Sequence, residues 1–208
     1  EKAQIPAAKT ISNEQVDVQV VESLGKAIHV VQGRYLVMAD KQGTRLVNLA
    51  KAEWLSVNGQ LSTREGNLKS QPLLVPLSVK LDDALLEAAQ ALQPTLDTFG
   101  IELKARGNKA LMVMGVPQPL RQQNLQQLVP DLLSYAVSCQ AASQPLSHIQ
   151  LAKWLSDHIT QVKSDYTLSE ANQIIADVEQ LWQGRLPLSD QTFVKPVDFS
   201  ATIAALEL

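Results

Sequence analysis

The chain has 208 residues, of which 45% are hydrophobic and 19% are charged, and its formal net charge is −3. This composition is typical of a globular protein with one large domain or two small ones. It excludes a basic field over the whole chain, so any contact with nucleic acid has to come from a local patch.

The single cysteine, Cys139, carries information about the compartment. A lone cysteine excludes an intrachain disulfide and a zinc site built from several cysteines, and it indicates a reducing environment. Because no run of about 18 apolar residues is present, we expect no membrane span and a cytoplasmic location. We interpret Cys139 as a buried structural thiol. The first residue is not methionine, from which we expect a piece of a longer protein.

The first predicted elements are three strands, after a segment at 1–17 that lacks an apolar period and is interpreted as a linker remnant. The strands are predicted at 27–31, 34–39 and 44–48, since β-branched and apolar residues alternate there with short glycine-containing turns. Apolar residues run consecutively in parts of this antiparallel meander, which indicates that both faces are covered. We expect a helix on one face and a partner chain on the other.

A smaller unit is predicted after a short helix at 49–55 and a polar loop at 58–71. Its first segment contains Pro72 and Pro76, which restrict it to the edge of a sheet because proline has no N–H for a central ladder. Its helix should be divided at Pro94. The predicted elements are an edge strand, this helix and two further strands, at 71–80, 82–99, 101–103 and 110–114.

The rest of the chain is predicted to be helical. It begins with Pro117 and Pro119, which we interpret as a rigid passage between subdomains. Pro130 then lies within a helical pattern, so it either kinks a helix or occupies the first turn of one that begins later. Further helices are expected to end near Cys139, to start at Ser147, to run from Thr167 to Gly184 and to cover 199–208, with a loop at 187–196.

No catalytic motif stands out in the sequence. The histidines, His29, His148 and His158, are not at a spacing typical of metal ligands, and no glycine-rich phosphate loop is present. The acidic residues lie mostly at helix starts, where capping explains them. A binding function is therefore favoured. The alternative is an enzyme with a divergent metal site that uses Asp40, Asp157 and His158.

A family resemblance lies in the run Pro-Leu-Arg-Gln-Gln-Asn-Leu-Gln at 119–126, followed by Val-Pro-Asp-Leu at 129–132. It closely resembles the C-terminal domain of the MutL family of DNA mismatch repair proteins in its gamma-proteobacterial form, and it extends more weakly from about Leu24 to the end of the chain. The resemblance implies a constitutive homodimer that serves as a hub. It implies no cofactor here, since ATP and Mg²⁺ would bind an N-terminal domain outside this chain. The implied partners are the sliding clamp, MutS, MutH, a helicase and DNA.

Many members of this family carry an endonuclease motif, Asp-Gln-His-Ala-x-x-Glu, after the second strand of the meander. The matching stretch here is 39–45, in which Asp40 takes the place of the aspartate but the histidine and the glutamate are missing. The family's Cys-Pro-His-Gly-Arg-Pro motif is also missing, and 195–199 stands in that region. Without these imidazole, thiolate and carboxylate ligands, the resemblance implies a non-nucleolytic domain. The alternative that the resemblance leaves is a divergent metal-dependent nicking endonuclease, in which Asp40, Asp157 and His158 would hold the metal.

Two local surfaces are candidates for partner contact. The stretch 71–76 resembles the peptide by which bacterial repair proteins dock on the sliding clamp, with an amide for a polar rim and apolar side chains for a pocket. The alternative is an edge strand in which Leu73, Val75 and Leu77 face the core. The implied clamp-binding residues are Gln71, Leu73, Leu74, Val75 and Pro76. The candidates for DNA contact, which alternatively form a solvated basic face, are Arg121, Lys104, Arg106 and Lys109.

Together, these patterns predict an α+β fold with two subdomains. An antiparallel meander with packed helices would form a dimerisation subdomain from 18–70 and 117–208. An inserted external α+β subdomain would span 71–116. The alternative to dimerisation is that the two subdomains bury each other's apolar surface. The run Arg121–Asn124 receives no function beyond capping a helix and setting the angle between subdomains.

Overall fold

The computed structural model describes residues 23–207, so the predicted linker at 1–17 lies outside the described residues. The fold is α+β, as predicted, with two antiparallel sheets and seven α-helices in the described part. The strands are β1 Lys26–Val31, β2 Tyr35–Asp40, β3 Gly43–Asn48, β4 Gln71–Lys80, β5 Glu102–Arg106, β6 Ala110–Val116 and β7 Val194–Pro196. The helices are α1 Leu49–Gln60, α2 Asp83–Ala91, α3 Gln93–Thr98, α4 Leu125–Ala141, α5 His148–Ile159, α6 Leu168–Trp182 and α7 Ser200–Leu206.

The first sheet has four strands in the order β1-β2-β3-β7. Its inner face carries Leu36, Met38 and Val47, which are buried beneath α1 and α6. Alternation along each strand turns the intervening residues to the opposite face. The predicted meander is therefore confirmed, with helices on one of its sides.

Strand β7 lies inside the segment that the sequence predicts to be a loop. It pairs with β3 through the registers Leu46–Lys195 and Val47–Val194. The loop prediction is wrong at these three residues because the segment is short and ends in a proline, so no local pattern marks it. Its strand conformation comes from hydrogen bonding to an edge about 150 residues earlier in the chain, which local sequence patterns do not reveal.

Helix α1 extends to Gln60, beyond the predicted end at Leu55. The prediction failed because the glycine at position 59 suggests a loop, yet here it allows α6 to approach closely. A Cβ added at Gly59 would lie 3.1 Å from the Nε1 atom of Trp182, which itself donates a hydrogen bond to the Leu55 carbonyl at 2.9 Å. Packing against α6 thus overrides the low helix propensity of glycine.

The second sheet has three strands in the order β4-β6-β5, which confirms β4 as an edge strand. The helix preceding β5 is divided as predicted: α2 ends at Ala91, and Pro94 lies in the first turn of α3. Helices α3 and α4 contact this sheet, and side chains of α4 and α5 share its core. The boundaries at 70/71 and 116/117 stay a prediction.

The proline passage leads into a 3-10 helix, Gln118–Leu120, and then into α4. Helix α4 begins at Leu125, so Pro130 lies in its interior rather than in its first turn. Cys139 is buried on this helix, as predicted. Capping boxes at Ser147 and Thr167 start α5 and α6. No helix within residues 23–207 is long and apolar enough to cross a membrane.

Candidate docking sites

The face of the first sheet that points away from α1 and α6 is apolar. Register pairs align Val31 with Tyr35, and His29 with Val37 and Leu46, on this side. Ile28 joins them at a bulge in β1 and is 49% exposed. We define the outer face as the residues Ile28, His29, Val31, Tyr35, Val37, Ala39 and Leu46; Lys26 and Thr44, which pair with Ala39, lie at one end of it. Contiguous exposed apolar surface of this kind is typical of protein interaction sites.

Helix α7 continues from the β7 edge of the same sheet. The backbone N–H of Val197 donates to the Thr44 carbonyl at 2.9 Å, which ties the helix entrance to β3. The described side chains of this helix are exposed, and Phe199, Ile203 and Leu206 follow the i, i+4, i+7 spacing of one helix face. A short helix with an exposed apolar stripe therefore follows the β7 edge of the first sheet.

The clamp-like segment arches out of the second sheet. Between the register pairs Pro72–Gly115 and Leu77–Val113, β4 has four residues and β6 has only one. We name the four residues Leu73–Pro76 the arch. Leu74 is 98% exposed and Val75 is 79% exposed, while Leu73 and Leu77 are partly buried. The alternative in which Val75 faces the core is therefore wrong, because the bulge turns this side chain outward.

The start of the arch is held by close backbone packing. A Cβ at Gly115 would lie 2.5 Å from the Ser70 hydroxyl and 3.0 Å from the Gln71 carbonyl. The backbone also approaches Gly100 closely: the φ of Gly100 is +69°, and a Cβ there would lie 2.9 Å from the Leu68 carbonyl. The two glycines let the chain at 68–71 pass directly over the sheet, which fixes where the arch begins.

Gln71, at the foot of the arch, is engaged by a distant residue. The Nη1 atom of Arg121 donates a partly buried hydrogen bond of 2.8 Å to the Gln71 Oε1 atom. This contact joins the run that carries the family resemblance to the clamp-like segment, 50 positions apart. Asn124 is the N-cap residue of α4, but its side chain makes no capping hydrogen bond. Sequence reasoning missed the Arg121–Gln71 pair because nothing local connects the two residues.

The candidate DNA-contacting residues fall into two places. Lys104 and Arg106 share the exposed face of the second sheet, and Lys109 lies in the β5–β6 turn beside them. Arg121 instead binds Gln71, which pairs with Val116. Val116 lies about 20 Å along β6 from Ala110, the partner of Arg106, at roughly 3.3 Å per residue. Lys80, which sequence reasoning missed, pairs with Ala110 on the Arg106 side. Lys80, Lys104, Arg106 and Lys109 form what we name the basic face.

The residues of the nuclease alternative are engaged in other contacts. Asp40 lies 3.5 Å from the Arg45 guanidinium and accepts the Gln42 backbone N–H at 2.8 Å. Burial opposes ionisation of Asp157, but hydrogen bonds from Lys153 and Trp54 outweigh it and lower the Asp157 pKa.

The third residue of that alternative, His158, is also occupied: its Nδ1 atom lies 2.7 Å from the Trp154 carbonyl, and its ring stacks on the indole. Within residues 23–207, no group of three or more His, Cys, Asp or Glu side chains is placed to hold a metal ion. The structure therefore does not assemble Asp40, Asp157 and His158 into the predicted site.

The comparisons with known proteins agree with these features. Residues 28–173 match the family model "MutL C terminal dimerisation domain". The chain is 54% identical over 195 residues to the DNA mismatch repair protein MutL of Vibrio parahaemolyticus, covering 93% of this chain and 29% of that protein. It is 56% identical over 187 residues to MutL of Vibrio vulnificus strain YJ016 (89% and 28%) and 36% identical over 184 residues to MutL of Aliivibrio fischeri (88% and 27%).

The chain thus spans less than a third of the length of these relatives. Sequence identity of this level extends over nine-tenths of the chain, and the family model matches most of both sheets and five helices. These two findings establish the family. This chain belongs to the family of MutL C-terminal dimerisation domains.

Proposed function

We propose that this domain joins two copies of its chain through the outer face of the first sheet. The observation that carries this proposal is that an exposed apolar sheet face lies opposite the helix-covered face, in a domain whose family is named for dimerisation. A two-fold contact between two such faces would bury Ile28, Val31 and Tyr35 against their counterparts. Burial of this apolar area drives association because it removes the area from water.

Helix α7 would extend the same interface. Its stripe of Phe199, Ile203 and Leu206 is exposed at the β7 edge of that sheet, where a second copy stacked on the outer face would come close. We infer that α7 packs on the partner chain and adds apolar area to a contact that the sheet alone would make smaller.

Sedimentation equilibrium over a wide concentration range tests the dimer. We expect a mass of two chains, about twice 22.7 kDa, that persists to low concentration. A mass of one chain at micromolar concentration would contradict the proposal, because it would mean that the apolar face does not drive association.

We also propose that the arch docks on a sliding clamp. Support comes from the exposure of Leu74 and Val75 on an arch with Gln71 at its foot, the arrangement in which an extended segment inserts side chains into a pocket. Pro72 precedes the arch and Pro76 ends it, and both prolines limit the conformational entropy lost on binding. Because the arch lies on the edge strand of the second sheet, docking and dimerisation would use separate surfaces of the domain.

Surface plasmon resonance with a purified sliding clamp tests the docking proposal. We expect Leu74→Asp to abolish binding, because it would place a carboxylate in an apolar pocket. The matched control is Ile149→Asp, since Ile149 is 82% exposed on α5, outside the arch. Unchanged clamp binding by Leu74→Asp, or an equal loss in both variants, would contradict the proposal.

For the parent protein, we propose the role that the relatives' name gives, DNA mismatch repair. In this proposal the domain is a non-catalytic hub, ATP hydrolysis belongs to a separate domain, and MutS, MutH, a helicase and DNA are candidate partners. The incomplete nuclease motif around Asp40 supports the proposal that the domain is non-nucleolytic. Manganese-dependent nicking by the isolated domain, lost in Asp40→Ala, would contradict it.

A further inference from the structure

We infer that Arg121 is a positioning residue for the arch. By binding the Gln71 oxygen, Arg121 leaves the Gln71 amino group as the part of the carboxamide that a partner can reach. The partner protein must then place a carbonyl or carboxylate oxygen opposite Gln71. This inference rests on the proposed docking of the arch and goes beyond it, because it assigns a role to Arg121 and a hydrogen-bond polarity to the docking contact.

The geometry holds both residues in place. Gln71 pairs with Val116 across the second sheet, and its carbonyl packs over Gly115 without space for a Cβ. The Arg121 backbone N–H donates to the Gln118 carbonyl at 3.2 Å, at the end of the 3-10 helix. The hydrogen bond of 2.8 Å between the two side chains therefore connects two fixed backbones rather than two mobile loops.

Chemistry determines which end of the Gln71 carboxamide faces Arg121. A guanidinium has five N–H donors and no acceptor, so only the amide oxygen can meet it at hydrogen-bond distance. The orientation thus follows from the partner and does not depend on the usual ambiguity between amide oxygen and nitrogen. Among residues 23–207, the Gln71 amino group donates no hydrogen bond, so both of its N–H donors are left for a ligand.

This arrangement has consequences for affinity and for selectivity. A free glutamine side chain loses rotamer entropy when it binds, whereas one already held by a charged donor loses less. A free carboxamide can also turn over and serve a partner's donor or a partner's acceptor. Arg121 removes that choice, since a cationic donor approaching the bound oxygen would be repelled by the guanidinium. We therefore expect Arg121 to tighten docking and to select partners that offer an acceptor at this point.

A double-mutant cycle on clamp binding tests whether Arg121 acts through Gln71. We expect Arg121→Ala to weaken binding about threefold to tenfold, which lies in the lower part of the range of coupling energies between neighbouring residues. In a Gln71→Ala background, the same change should have less than about a twofold effect, because its target is gone. Arg121→Lys keeps one donor and should restore part of the loss. Arg64→Ala serves as the control for removing an arginine, since Arg64 lies on a loop outside the arch.

The polarity of the contact is tested by Gln71→Glu. A glutamate would still accept from Arg121, but it has no N–H donors, so we expect clamp binding as weak as that of Gln71→Ala. Wild-type binding by Gln71→Glu would overturn the inferred polarity. An equal effect of Arg121→Ala with and without Gln71 would overturn the positioning role, because Arg121 would then act by another route.

Two further measurements separate this inference from the docking proposal. If the wild-type domain does not bind the clamp, or if Leu74→Asp does not weaken binding, the docking proposal fails and the partner statement fails with it. The Gln71–Arg121 contact is tested without a partner by the NMR signals of the Gln71 amino group. These should move toward the positions of solvent-exposed glutamines in Arg121→Ala, and unmoved signals would overturn the contact. Thermal unfolding of each variant confirms that it is folded.

Discussion

The two sheets of this domain are built alike on one side and differ on the other. Each is antiparallel, and each packs one face against helices. The free face of the first sheet carries Ile28, Val31 and Tyr35, whereas the free face of the second carries Lys80, Lys104 and Arg106. Exposure of an apolar face to water raises the free energy of the protein, and pairing of that face lowers it, whereas a charged face is stable in water. This difference supports the proposal that a second copy packs on the first sheet.

The largest expected effect on the dimer Kd comes from a charge on the outer face, and the same change on the free face of the second sheet is its control. Val37→Asp would place a carboxylate in the middle of the apolar outer face. Burial of an unpaired charge should cost about 3 kcal/mol or more, which is about a 100-fold or greater increase in the dimer Kd. The matched variant is Ser78→Asp, at an exposed position on the free face of the second sheet, and it should leave the Kd unchanged. Sedimentation equilibrium measures both, and equal effects would remove the distinction between the faces.

A second prediction concerns the backbone packing that sets the arch. Gly115→Ala would place a Cβ 2.5 Å from the Ser70 hydroxyl, so the chain at 70–71 must shift. Overpacking of this kind typically costs about 1–3 kcal/mol of the free energy of unfolding, which urea denaturation would measure.

Ser70 provides the control for that prediction. Its hydroxyl is buried and has no hydrogen-bond partner among residues 23–207, so Ser70→Ala should be neutral or slightly stabilising and should relieve part of the Gly115→Ala loss. Additive effects of the two substitutions would mean that the clash with Ser70 is not the cause.

A third prediction concerns the basic face of the second sheet and its contact with DNA. If the basic face contacts DNA, the double variant Lys104→Ala/Arg106→Ala should make the salt dependence of binding less steep by roughly two units in log K against log salt. Lys41→Ala, in the β2–β3 turn of the first sheet, should leave the slope unchanged. Fluorescence anisotropy with duplex DNA measures the slopes, and an unchanged slope in the double variant would mean that the basic face is only solvated.

The smallest expected effect is a pH dependence at the start of α6. A hydrogen bond from Lys163 and the Thr167 backbone N–H lower the Glu170 pKa from its ordinary value of 4.5 to about 2. Because the folded pKa is depressed, this stabilisation is present above pH 4.5 and is lost as the pH falls toward 2. Glu170→Gln keeps the cap but not the charge, so urea denaturation at several pH values should show a smaller acid loss. An unchanged acid loss would exclude Glu170 as its source.

Much of the fold could be predicted from local sequence. The meander, the edge strand at Pro72 and Pro76, and the helix starts at Ser147 and Thr167 depend on neighbouring residues, and the structure confirms them. The length of α1 and the existence of β7 could not be predicted, since they depend on contacts of Gly59 with Trp182 and of Val194 with Val47.

The candidate sites follow the same division. The arch was predictable as a short extended segment, but its protrusion results from a mismatch in register with β6 that only pairing reveals. Arg121 was marked by the family resemblance, yet its contact with Gln71 joins residues 50 positions apart. The membership of Lys80 in the basic face likewise depends on its alignment opposite Ala110. Long-range placement, rather than residue type, is the part that sequence reasoning lacked.

The most direct test of the dimer surface is hydroxyl-radical footprinting read by mass spectrometry, with the wild-type domain compared with Val37→Asp. We expect Tyr35 and Ile28 to react slowly in the two-chain wild type and quickly in the variant, while Leu74 and Val75 on the arch react equally in both. Equal reactivity of Tyr35 in the two proteins, with the wild type still at a mass of two chains, would contradict it and place the interface elsewhere on the domain.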